Sequence, residues 1–145
     1  MQETPAGQAG LPLRILWSAF VGAVCVYIVV AYVLRQQTGQ ALATIDRDFM
    51  TPIFAVAAVI ITLFIFSGAK VLAKALDYQV YCLVRWALLE AIGLFGLVLA
   101  LIGASLTVAG SFFGWALLSL FRVQPTPEDQ RQYQVFRTGH SSLSG

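Results

Sequence analysis

Four stretches of the chain stay apolar for about the length needed to cross a bilayer, and short polar segments separate them. Residues 15–34 carry no charge and are bracketed by Arg14 and Arg35. Residues 49–69 follow a polar linker from Gln36 to Asp48, with Pro52 expected in the first helical turn, where its missing N–H does no harm. Residues 84–103 form a third run and residues 106–121 a shorter fourth, against the roughly 20 residues a membrane helix needs. Without an interruption, residues 86–121 would make one apolar helix of about 54 Å, far beyond a hydrocarbon core of about 30 Å. Gly103-Ala104-Ser105 is therefore the expected site of a tight turn. The pattern predicts an all-α fold: a polytopic membrane bundle of four transmembrane helices.

The flanks are simpler. Residues 1–13 read as a flexible tail rich in Gln, Gly, Pro and Thr, without the basic start and small-residue cleavage site of a cleaved signal peptide. The bundle occupies residues 14–122, and residues 123–145 form a C-terminal tail. Lys70, Lys74, Asp77 and Arg85 mark a short charged connection, expected to be helical because nothing between Val71 and Leu83 breaks a helix. In the tail, Thr126 as N-cap, Pro127 at the first helical position and Glu128-Asp129 in the first turn predict a short surface helix to about Phe136.

Composition agrees with the pattern. The chain is 59% hydrophobic and 11% charged, whereas soluble domains carry about 25% charged residues. A soluble core of this size could not hide that much apolar surface, so lipid must serve as solvent. A net charge of +2, without a basic run, argues against nucleic acid. Cys25 and Cys82 lie within or beside apolar runs and read as small apolar residues rather than a disulfide or metal pair. The sole histidine, His140, sits in the polar tail, so paired-histidine haem ligation, zinc chemistry and a Ser-His triad all lack their ingredients. No cofactor and no catalytic set is expected.

Basic residues set the orientation. One side carries Arg14, Lys70, Lys74, Arg85, Arg122, Arg131 and Arg137, and the other only Arg35 and Arg47. Both termini are expected in the cytoplasm.

The residue that invites a functional argument is Glu90, a carboxylate inside the third apolar run. An ionisable group in a membrane helix costs roughly 2.5–3.5 kcal/mol on insertion scales, so it normally has a partner or a task. It follows Arg85 by five residues, about 7–8 Å along the helix, which predicts a place in the inner half of the membrane. Gly93 shares its face and would let a neighbouring helix come close. Two readings stay open. In one, Glu90 is a buried polar contact between helices, bonded to Thr62, Ser67 or Tyr27 or paired with Arg85 or Arg14. In the other, desolvation lets it hold a proton or cation. Arg85-Trp86 reads as an interface anchor, Asp46-Arg47-Asp48 as a solvated loop, and Gly93, Gly96, Ala100 and Gly103 as helix-packing surface. Tyr78, Tyr81, Tyr133 and Phe136 suit amphipathic surface segments.

The segment from Leu88 to Ile102, with Glu90 followed by Phe95-Gly96 and an aliphatic run, resembles the second helix of the proteolipid (c) subunit of rotary ATPases. That resemblance implies Glu90 as an ion-binding carboxylate, with Gly93, Phe95, Gly96 and Arg85 in support, in a hairpin with a cytoplasmic loop. The overall plan, with Arg-Trp-Ala-Leu-Leu-Glu at residues 85–90 and Pro-Thr-Pro-Glu after the last span, also resembles small bacterial four-helix membrane proteins. This second likeness implies the bacterial inner membrane and no particular activity. Expected partners are membrane lipid and other membrane subunits or further copies of the chain. The leading expectation is a non-catalytic structural or assembly subunit of a membrane complex. The alternative is a proton- or cation-translocating, proteolipid-like subunit.

Overall fold

The computed structural model describes residues 10–38 and 47–138, and the regular elements among them are all helical. They are α1 (Gly10–Thr38), α2 (Arg47–Ser67), α3 (Ala69–Ala75), α4 (Tyr78–Leu101), α5 (Leu106–Arg122) and α6 (Pro127–Thr138). The N-terminal tail up to residue 9, the linker with Asp46 and the C-terminal end with His140 lie outside the described residues.

Among the described residues three helices are long and apolar enough to cross a membrane: Leu13–Gln37, Asp48–Ser67 and Tyr78–Leu101. A fourth candidate arises only if Leu106–Arg122 and Pro127–Thr138, bent 79° to each other, count as one broken span; Leu106–Arg122 itself has 17 residues. At about 1.5 Å per residue it reaches about 25 Å, slightly short of a full hydrocarbon core. The hydropathy of these helices makes the chain a small integral membrane protein.

α4 is the axis of the bundle. Its buried residues, Tyr81, Cys82, Arg85, Trp86, Leu89, Ile92, Gly93, Gly96 and Leu99, recur at intervals of three and four and form one broad stripe. α1 and α5 pack along that stripe and α2 against another side. Of the most apolar window, 44% is buried in α4 but only 11% in α1 and in α2, so the outer two turn most of their apolar surface outward. In water such exposure would aggregate the protein, whereas in lipid it costs nothing.

Packing is tightest between α4 and α5. A Cβ on Gly96 would lie 2.9 Å from the Ala109 carbonyl oxygen and 3.1 Å from the Phe112 Cβ, so the two backbones touch where only hydrogen fits. The expected turn joins these helices. Ala104 N–H donates to the Leu99 carbonyl at 2.9 Å and Gly103 N–H to the Ala100 carbonyl at 3.3 Å, the paired bonds of a Schellman ending. Gly103 has φ 89°, left-handed geometry that favours glycine. Ser105 then caps α5, its hydroxyl accepting from Val108 N–H at 3.2 Å. The far end of α1 is fastened here too, since the Arg35 guanidinium donates to the Ala104 carbonyl. At the opposite end the indoles of Trp17 and Trp86 donate to the carbonyls of Leu120 and Val123, each at 3.0 Å. Both carbonyls belong to the C-terminus of α5, where helices leave acceptors unmatched.

Three local expectations need correction. The connection expected to be helical from Val71 to Leu83 breaks at Leu76 and Asp77, whose backbones are extended, with ψ 151° and 156°. The Leu76 carbonyl accepts from the Tyr133 hydroxyl at 2.9 Å, so a residue of α6 holds this corner. α4 consequently starts at Tyr78 and continues to Leu101, through most of the expected third span. Likewise α2 starts at Arg47, which makes Pro52 its sixth residue, beyond the first turn. Finally, Trp86 is 1% exposed and Arg85 7%, so the pair lies inside the protein and is no interface anchor.

Candidate functional site

Glu90 lies at the middle of α4, with residues 78–89 before it and 91–101 after it. The start of α4 at Tyr78 centres the carboxylate on its own helix. Across the seam stands Tyr27, close to the middle of the Leu13–Gln37 stretch of α1. Its hydroxyl donates to Glu90 Oε1 at 2.5 Å.

The local sequence explains why these groups meet. α1 and α4 run in the same direction: Phe20 lies 6.1 Å from Trp86 near one end, and Arg35 reaches the α4–α5 turn at the other. Side chains three residues apart share a helix face. Val24 and Tyr27 therefore face Gly93 and Glu90. A Cβ on Gly93 would meet the Val24 methyl at 3.2 Å, so the missing side chain lets α1 come close enough for the tyrosine to reach. A helical tyrosine leans towards its own N-terminus, which carries the hydroxyl back to the level of Glu90.

The other expected partners of Glu90 do not meet it. Thr62 donates to the Ala58 carbonyl of its own helix at 2.7 Å. Arg85 points elsewhere, as a five-residue offset on a helix requires. Its Nη1 is 3.2 Å from Asp129 Oδ1 on α6 and 2.9 Å from the Tyr81 hydroxyl. Nor do the remaining proteolipid-like positions converge on Glu90. Phe95 stacks on Phe54 of α2, with centroids 4.9 Å apart and planes 3° from parallel, while Gly96 abuts α5. Glu90, Gly93, Phe95 and Gly96 thus serve three different helix contacts.

A second polar cluster lies towards the N-terminal end of α4, and the sequence does not reveal it. Asp129 sits in the first turn of α6, where Thr126 Oγ1 accepts from its N–H at 3.2 Å, as the expected cap requires. The carboxylate joins Arg85, and the Tyr78 hydroxyl is 3.4 Å from its second oxygen. Tyr133 packs on both Tyr78 and Tyr81, at 5.1 Å and 5.4 Å. Tyr81 and Tyr133 are buried, not laid on a surface. Arg85 Nε is buried without a hydrogen-bond partner among the described residues. The cap motif pointed to α6, but nothing in the sequence named the helix that receives it.

Chemically, Glu90 with one hydroxyl donor can accept hydrogen bonds or hold a proton. Among the described residues no three His, Cys, Asp or Glu side chains gather as a metal set. Comparison with known proteins finds no matching family, no matching curated protein and no matching solved structure.

Proposed function

We propose that the protein is a non-catalytic structural or assembly subunit of a membrane complex, crossing the membrane four times with both termini in the cytoplasm. The observation that carries this reading is the bond between Tyr27 and Glu90. The carboxylate is engaged inside the molecule by a neutral donor that ties α1 to α4, and no cation pairs with it among the described residues. The four-span arrangement counts α5 as a short span. The orientation is supported by Lys70, Lys74, Arg122, Arg131 and Arg137, which belong to α3, α5 and α6 near one end of α4. Partners would meet the apolar outer faces of α1 and α2, which the chain leaves uncovered.

A second reading, proton or cation translocation through Glu90, draws on its mid-helix position and its partial exposure. A hydrophobic carbodiimide separates the two, because it modifies protonated membrane carboxyls. For the structural role, labelling of Glu90 is insensitive to added sodium, and Glu90→Gln protein reconstituted in liposomes conducts ions no differently from the natural chain. Labelling suppressed by sodium, together with an ion flux that Glu90→Gln abolishes, would establish the carrier.

A further inference from the structure

Between the ends of α2 and α5 that lie towards the N-terminus of α4, a cleft of about 680 Å³ opens, lined by Phe66, Leu118, Ser119 and Arg122. It exists because α2 packs chiefly on α4, leaving the flank of α5 open. We infer that this cleft binds one anionic phospholipid, with the phosphate on Arg122 and the acyl chains against Phe66 and Leu118. The cleft is a wide groove open to the surroundings, a shape that suits a lipid lying along the protein and not an enclosed small molecule. Its walls divide as a lipid does. Leu118 is 74% exposed and Phe66 is also open to the surroundings, both apolar, while the polar side is the Arg122 guanidinium, with the largely buried Ser119 one turn before it.

The charge argues for an anion. Arg122 lies with its guanidinium 6.0 Å from the Phe66 ring centroid and makes no ion pair among the described residues. A guanidinium against an aromatic ring keeps in-plane N–H groups for a phosphate, the geometry for which arginine is best suited. The C-terminus of a helix repels anions through its unmatched carbonyls. Here Trp17 and Trp86 cover the carbonyls of Leu120 and Val123, which lessens that repulsion. Arginine in a pocket between membrane helices on the basic side is the usual setting for an acidic headgroup.

The test is native mass spectrometry of the full chain in neutral detergent with equal amounts of dioleoyl phosphatidylglycerol and dioleoyl phosphatidylcholine. The natural chain should retain one phosphatidylglycerol with a preference of about fivefold, the worth of one arginine near an acidic headgroup. Arg122→Gln should bring the two lipids to parity. Leu118→Trp, which narrows the cleft and keeps the charge, should lose retained lipid while holding the same helical circular dichroism. Arg131→Gln, on exposed α6, should keep the preference. Equal retention by the natural chain would overturn the site, as would a preference that survives Arg122→Gln or one that Arg131→Gln removes equally. Displacement of the lipid by excess glycerol 3-phosphate would also overturn it, showing a site for the free phosphate ester.

Discussion

Tyr27 and Glu90 meet at 2.5 Å across the seam of α1 and α4, with Val24 against Gly93 one rung away. A polar bond in lipid stands on close backbone approach, and these four residues supply both. An amide oxygen accepts a tyrosine hydroxyl as a carboxylate oxygen does. Glu90→Gln should therefore fold and melt in detergent within about 1 kcal/mol of the natural chain. Gly93→Leu, which drives α1 away from α4, should cost about 1–3 kcal/mol and expose Glu90 to carbodiimide.

The Arg85–Asp129 pair holds α6 on the bundle, with side chains only 9% and 16% exposed. Asp129→Asn would leave a buried guanidinium whose Nε already has no partner among the described residues. Breaking a buried pair from one side costs about 3–5 kcal/mol, and the residual exposure of Asp129 places this case near the lower figure. Opening of α6 should then quicken trypsin cleavage after Arg131 and Arg137 at least about tenfold, while α4 and α5 stay protected.

Two glycines of similar sequence setting should behave oppositely. Gly96→Ala puts a methyl 2.9 Å from the Ala109 carbonyl oxygen and should lower stability by about 1–3 kcal/mol. Gly114→Ala meets nothing within 4 Å and should be neutral or stabilising, because alanine orders a helix at lower entropic cost. Thermal unfolding of both variants in one detergent checks the contrast.

These cases show which parts of the structure were readable in the chain. The α4–α5 turn was legible because one apolar run was too long for a bilayer and held a single Gly-Ala-Ser interruption. The start of α6 was legible because Thr126, Pro127 and Asp129 act locally, within one turn. The break at Leu76-Asp77 was not, because it rests on the Tyr133 hydroxyl from 57 positions away. The burial of Arg85 is hidden for the same reason: a basic residue at the start of an apolar run has the pattern of an anchor, and the carboxylate that docks on it lies 44 positions away. For Glu90 the partner stood among several candidates: helix phase disfavours Arg85, five residues away on the same helix, but could not choose between Tyr27 on α1 and Thr62 on α2.

The orientation can be tested on intact cells with a membrane-impermeant maleimide, after both native cysteines are replaced by alanine. A cysteine placed at Gln36, at the far end of α1, should react from outside. One placed at Lys74, on α3, should react only after the membrane is permeabilised. The reverse pattern would invert the protein.

The proposal that Glu90 is a tie between helices is tested most directly by a double-mutant cycle on Tyr27→Phe and Glu90→Ala, read by reversible unfolding in mixed micelles. The tie predicts non-additive losses, with a coupling of about 0.6–1.7 kcal/mol as measured for hydrogen bonds between membrane helices. Losses that add to within about 0.3 kcal/mol would mean that the two residues do not depend on each other, and the structural role of Glu90 would fall.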